Sequence, residues 1–177
     1  DPLPRIPAIL VAGIGNIFLG DDAFGCEVAK RLRQRSLSAA VRVIDFGIRS
    51  YDLAFALMDG YDVTIMVDAT ARGDEPGTLY VIEPDLAALD DTKMTLGNAH
   101  SLDPVNVLAL VRAMGGMCKR ILLVGCEPAT LEAEDGQMQL SAPVAAAAAE
   151  AVTLIESMID RILNKQQQVI TTEVLTS

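Results

Sequence analysis

Continuous apolar runs alternate along this chain with stretches in which apolar residues recur at helical spacing. Ala8 to Gly13 (AILVAG) is apolar throughout and ends in glycine, the pattern of a strand covered on both faces. Val41 to Phe46, Val63 to Asp68, Thr78 to Glu83 and Ile121 to Cys126 read as four further strands. Between them the spacing predicts a helix over Ala23 to Arg35, capped by Asp21 or Asp22, with Val28 and Leu32 inward. A short helix is expected over Asp52 to Met58. Asp103-Pro104 reads as an N-cap and first helical residue, opening a helix that runs to about Met114 and stops at Gly115-Gly116. A long helix starts near Pro143, with Val144, Ala148, Val152, Ile155, Ile159 and Ile162 on one stripe. Pro84 to Asn98 is a polar excursion.

Strands alternating with helices imply a three-layer α/β/α sandwich around a five-stranded, mostly parallel sheet. The connection from Asp68 to Thr78 is too short for a helical crossover, so strand four is expected to run antiparallel to strand three. No repeat or linker divides the chain. A single domain over residues 1–165 is expected, followed by a polar, disordered tail over 166–177.

Composition narrows the function classes. The 177 residues are 51% hydrophobic and poor in aromatics, enough for one aliphatic core without staples. A net charge of −10 repels phosphate backbones and anionic membranes, so neither nucleic acid nor a membrane is an expected partner. No apolar run reads as membrane-spanning. Cys26, Cys118 and Cys126 lack CxxC spacing, which disfavours a structural zinc site or a disulfide framework. Unpaired thiols suit a reducing cytoplasm, and Asp1 to Pro7 does not have the form of a signal peptide.

In sheets of this kind chemistry sits at the carboxyl ends of the strands. Asp22, Asp45 and Asp68 fall there. An ionised carboxylate ending a buried strand needs water, a cation or hydrogen-bond donors, and a backbone amide would satisfy it as well as a metal. His100 is the only histidine, in a loop ahead of the third helix. Two carboxylates and an imidazole form a three-ligand set for zinc or nickel with one position open. Gly13-Ile14-Gly15-Asn16 invites a dinucleotide-binding reading, but Phe18 replaces the third glycine and Asp21-Asp22 would face the pyrophosphate. Cys26 near a helix start admits a Cys–His nucleophile pair with His100, against which two nearby aspartates would act. No Gly-x-Ser-x-Gly elbow is present.

Taken together the motifs resemble those of the hydrogenase maturation proteases. Gly13 to Gly25 (GIGNIFLGDDAFG) is similar to the opening signature, Asp45-Phe46-Gly47 to the second acidic turn, and Val67-Asp68-Ala69 to the third-strand aspartate. His100 ahead of Val107-Leu108, and Leu123-Val124-Gly125 followed by Pro128, Leu131-Glu132, Gly136 and Leu140-Ser141, complete the order from Ile9 to Ile162. The resemblance implies Asp22, Asp68 and His100 as metal ligands, Asp22 or Asp45 as the catalytic acid or base, and Gly15 and Asn16 at the substrate. It implies an endopeptidase acting on a hydrogenase large-subunit precursor. Nickel would then be recognised in the substrate rather than stored, with no permanent cofactor, though zinc or cadmium could occupy the position. Three alternatives stay open: a non-proteolytic nickel-binding chaperone, a cysteine-dependent hydrolase, and a purely structural domain.

Overall fold

The computed structural model describes residues 5–87, 104–131 and 138–175. The strands are β1 (Ile9–Ile14), β2 (Val41–Gly47), β3 (Val63–Ala69), β4 (Leu79–Ile82) and β5 (Arg120–Cys126). The helices are α1 (Phe24–Leu32), α2 (Ser50–Leu57), α3 (Pro104–Ala113) and α4 (Ala142–Leu175). A 3-10 turn over Gly20–Ala23 leads into α1.

The sheet order is β2-β1-β3-β5-β4, parallel except for β4. Strand four is reversed, as its short connection predicts. Its neighbour, however, is β5 rather than β3. The chain leaves β3 and passes over the position that β5 later fills, so connection length gave the direction but not the partner.

Side chains of a strand alternate between faces, and the core divides accordingly. Ile9, Val11, Ile65, Val67, Leu122 and Val124 pack with α1 and α4. Leu10, Ala12, Ile14, Met66 and Ile121 pack with α2 and α3. Val28 and Leu32 are fully buried in the first cluster, and the stripe of α4 lies along it, with Ile162 at its margin. The segment Ala142–Lys165 is long and apolar enough to cross a membrane by length and composition, contrary to the sequence expectation. Here its apolar face belongs to the core, where Val144, Ala148 and Ile155 are buried. The helix also continues through Leu175, past the point where a disordered tail was expected.

Three glycines set how closely α1 sits on the sheet. A Cβ at Gly25 would stand 2.1 Å from the Val67 carbonyl oxygen and 2.3 Å from that of Ile14. One at Gly13 would stand 2.5 Å from the Gly25 carbonyl oxygen. One at Gly15, whose φ is 141°, would meet the Asp22 carbonyl oxygen at 1.8 Å. These obstacles are backbone atoms, which cannot swing aside. Gly25→Ala is therefore expected to cost about 3 kcal/mol through overpacking. A lowered urea midpoint with an unchanged slope would record it, and a wild-type midpoint would show that α1 can move away freely.

Candidate active site

The sheet brings two of the expected carboxylates to one edge. In the parallel register Gly13 of β1 lies opposite Asp45 of β2 on one side and Val67 of β3 on the other. Asp45 and Asp68 therefore flank the end of β1, and Asp22 follows β1 through the 3-10 turn. Cys26, in the first turn of α1, reports their convergence. Its thiol is pushed up to about 12, first by burial, then by a hydrogen bond to Asp45 and the charges of Asp45, Asp22 and Asp68. The Gly15 carbonyl oxygen, 3.4 Å from the same sulfur, is a second acceptor within its reach.

Neither Asp21 nor Asp22 caps α1, contrary to expectation. The N-cap positions of the 3-10 turn and of α1 are Leu19 and Ala23, and neither makes a side-chain cap. Asp22 instead accepts the Asn16 N–H at 2.8 Å through Oδ2, and the Asn16 Oδ1 accepts the Phe18 N–H at 2.9 Å. The β1–α1 loop thus folds back on the carboxylate and fixes its direction. Asp45 uses Oδ1 to accept the Gly47 N–H at 2.9 Å, within its own turn. Arg49 donates to the Asp45 carbonyl oxygen at 2.5 Å and lies over the Phe46 ring, which secures that turn.

Two carboxylates beyond the expected set hold the surrounding loops. Asp21 is fully buried and accepts the N–H groups of Ala129, Thr130 and Ser141 at 2.8, 3.2 and 2.7 Å, together with the Ser141 hydroxyl at 2.9 Å. Glu127, also buried, accepts the Arg72 and Gly73 N–H groups and the Tyr80 hydroxyl, the last at 2.6 Å. These donors hold the Glu127 carboxyl below its ordinary range. Sequence reading passed over Glu127. The rule that selected Asp68, a carboxylate closing a buried strand, applies equally to the residue after Cys126.

A groove of 340 Å³ runs along the edge, lined by Gly15 to Phe18 and Asp45 to Arg49. It contains the Gly15 and Asn16 expected at the substrate. A second groove of 490 Å³ also reaches Asp45 and Ile17, and continues past Cys26 to Lys30, Arg33 and Met138. Asp22, Asp45 and Asp68 are each half-buried. His100 lies outside the described residues, so its distance from the carboxylates is not part of this geometry. Among the described residues, no group of three or more His, Cys, Asp or Glu side chains is arranged to hold a metal ion.

A mixed sheet of this order with acidic residues at the carboxyl edge has clear relatives. The family model for hydrogenase maturation proteases matches residues 26–158, more than half of the chain. The chain belongs to the hydrogenase maturation protease family. It is 35% identical over 144 residues to the hydrogenase expression/formation protein HupD of Rhizobium leguminosarum bv. viciae, covering 80% of this chain and 68% of that one. Identity to the hydrogenase 2 maturation protease of Escherichia coli K12 is 34% over 131 residues, or 72% and 77% of the two chains. The solved hydrogenase maturating endopeptidase HybD from E. coli superposes with a TM-score of 0.71 at 27% identity, covering 87% of this chain and 93% of its own. The enzyme class is therefore that of a peptide-bond hydrolase, an endopeptidase.

Within this maturation protease the geometry disfavours a cysteine nucleophile. A thiol titrating near 12 is neutral at physiological pH, and the three aspartates oppose its ionisation. Its burial also sets a pH dependence. The folded pKa lies above the unfolded value of 9.0, so its contribution to stability is whole below pH 9.0 and is lost as pH rises toward 12. At about pH 8 iodoacetamide is expected to leave Cys26 unmodified while alkylating the unfolded chain, as read by peptide mass mapping. Rapid labelling of native Cys26 would restore the thiolate reading.

Proposed function

We propose that this maturation protease removes the C-terminal extension of a nickel-loaded nickel–iron hydrogenase large-subunit precursor in the cytoplasm, and that nickel held by the substrate licenses the cut. The observation that carries this reading is the placement of Asp22, Asp45 and Asp68 at the carboxyl edge, where the register sets β2 and β3 on either side of the end of β1 and the Asn16 N–H holds Asp22. Neighbouring carboxylates repel one another, and a cation approaching the edge relieves that repulsion.

In this reading Asp22, Asp68 and His100 receive the nickel. Two oxygens and one imidazole nitrogen suit a divalent ion of borderline softness, which is also why zinc or cadmium would fit. The Asn16 N–H fixes Asp22 through Oδ2, and among the described residues Oδ1 makes no hydrogen bond. An outer partner of this kind orients a ligand before the metal arrives. Because the metal comes with the substrate, the protein needs no resident cofactor.

Asp45 is assigned the general base, as an acidic endopeptidase requires. It lines both grooves, so a polypeptide crossing from one to the other passes over it. The Asp45 carboxylate takes a proton from water as the oxygen adds to the scissile carbonyl carbon. The carbon–nitrogen bond then breaks, and the same proton passes to the departing amine. The substrate's nickel places that carbonyl and can polarise it.

The test is the intact mass of the precursor after incubation with the protein, with and without nickel loading. A discrete C-terminal loss is expected only in the loaded sample. His100→Ala and Asp68→Ala are each expected to slow it by about 10–100-fold or more. Equal cleavage without nickel would refute the licensing role. A precursor that is bound but never cut would make the protein a nickel-reading chaperone instead.

A further inference from the structure

The two grooves that meet at Asp45 and Ile17 differ in chemistry. The first has an apolar brow, on which Ile17 is 49% exposed, Phe18 60% and Ile48 64%. Tyr51 and Phe55, one turn apart on α2, the helix that follows Arg49, are exposed as well. The second is basic along one wall, where the end of α1 presents Lys30, Arg31 and Arg33. This is unusual on a chain whose net charge is −10.

The cations of that wall are not equivalent. Arg31 is engaged by Glu27 at 2.8 Å, one turn back on the helix. Lys30 and Arg33 are exposed and make no ion pair among the described residues. Basic residues in the last turn of a helix complement its dipole, and that accounts for a small stabilisation without any ligand. It does not account for two uncompensated cations on the wall of a groove whose other end is Asp45 and Cys26.

We infer that the substrate polypeptide lies across Asp45 with a fixed polarity: its folded body against the apolar brow, and its C-terminal extension in the basic groove, where Lys30 and Arg33 take carboxylates of that extension. The inference rests on the endopeptidase reading of the same edge. Every such extension ends in an α-carboxylate, and acidic side chains within it would add to the match. Charge complementarity suits a segment that ends in a carboxylate to this wall. The net charge of −10 opposes an acidic segment over the chain as a whole and steers it toward this basic wall. After cleavage the extension is held by Lys30 and Arg33 alone, so it leaves as a weakly bound product.

A synthetic peptide with the sequence of the precursor's C-terminal extension, carrying a fluorophore at its amino end, tests this by anisotropy. It should bind the wild-type chain, and binding should weaken as salt is raised. Lys30→Glu combined with Arg33→Glu should weaken it about ten-fold or more, and an amidated C-terminus on the peptide should weaken it in the wild type. Phe18→Ser should leave the peptide's affinity unchanged while raising KM for the nickel-loaded precursor. In the cleavage assay the double reversal should raise KM and leave kcat near wild type. Peptide binding that is absent, or indifferent to the double reversal, would overturn the assignment even if the precursor is still cut. Salt-sensitive peptide binding lost in the double reversal, without cleavage of any precursor, would keep the groove and refute the endopeptidase reading.

Discussion

A side chain at Gly13, Gly15 or Gly25 would hold α1 away from the sheet, and each would strike backbone rather than a movable side chain. With glycine at all three, the helix start seats directly on β1 and β3. That contact brings Cys26 under the sheet edge, turns the 3-10 segment inward and delivers Asp22 beside the ends of β2 and β3. The glycine turn and the acidic pair are thus parts of one device: the close approach sets where the carboxylates can be.

The edge then divides its carboxylates by what surrounds them. Asp21 and Glu127 are buried and surrounded by donors, and their hydrogen bonds hold Ala129, Thr130 and Ser141, and the 72–80 segment, against the sheet. Asp22, Asp45 and Asp68 are half-buried; Asp22 turns one oxygen to the Asn16 N–H, and Asp45 turns one to the Gly47 N–H of its own turn. A fully satisfied carboxylate is a fastening, whereas Asp22, whose Oδ1 makes no hydrogen bond among the described residues, can meet a cation or a proton. This distinction, more than acidity alone, separates Asp21 and Glu127 from Asp22.

Much of the fold was legible because buried strands and one-sided helices write their periods into the chain. Ile9–Ile14 and the stripe of α4 are examples. What stayed hidden depended on distant segments. Asp21 reads locally as a helix cap, since nothing near it reveals donors 108 and 120 residues away. The partner of β4 was missed because connection length constrains direction and says nothing of the strand that is inserted later. Of the candidate site, Asp22, Asp45 and Asp68 were selected by the rule that chemistry gathers at strand ends. Their arrangement around Cys26, and the two unlike grooves meeting at Asp45, needed the third dimension.

The central claim is that recognition and chemistry are divided, with Asp22 and Asp68 reading nickel and Asp45 moving the proton. Asp45→Asn tests it most directly, because the amide oxygen can still accept the Gly47 N–H while the base is lost. Single-turnover cleavage and precursor affinity should be measured on the same variant. Binding of the nickel-loaded precursor near the wild-type level, with cleavage reduced about 100-fold or more, is the expected result. Cleavage by Asp45→Asn at the wild-type rate would contradict the division and move the base to another residue.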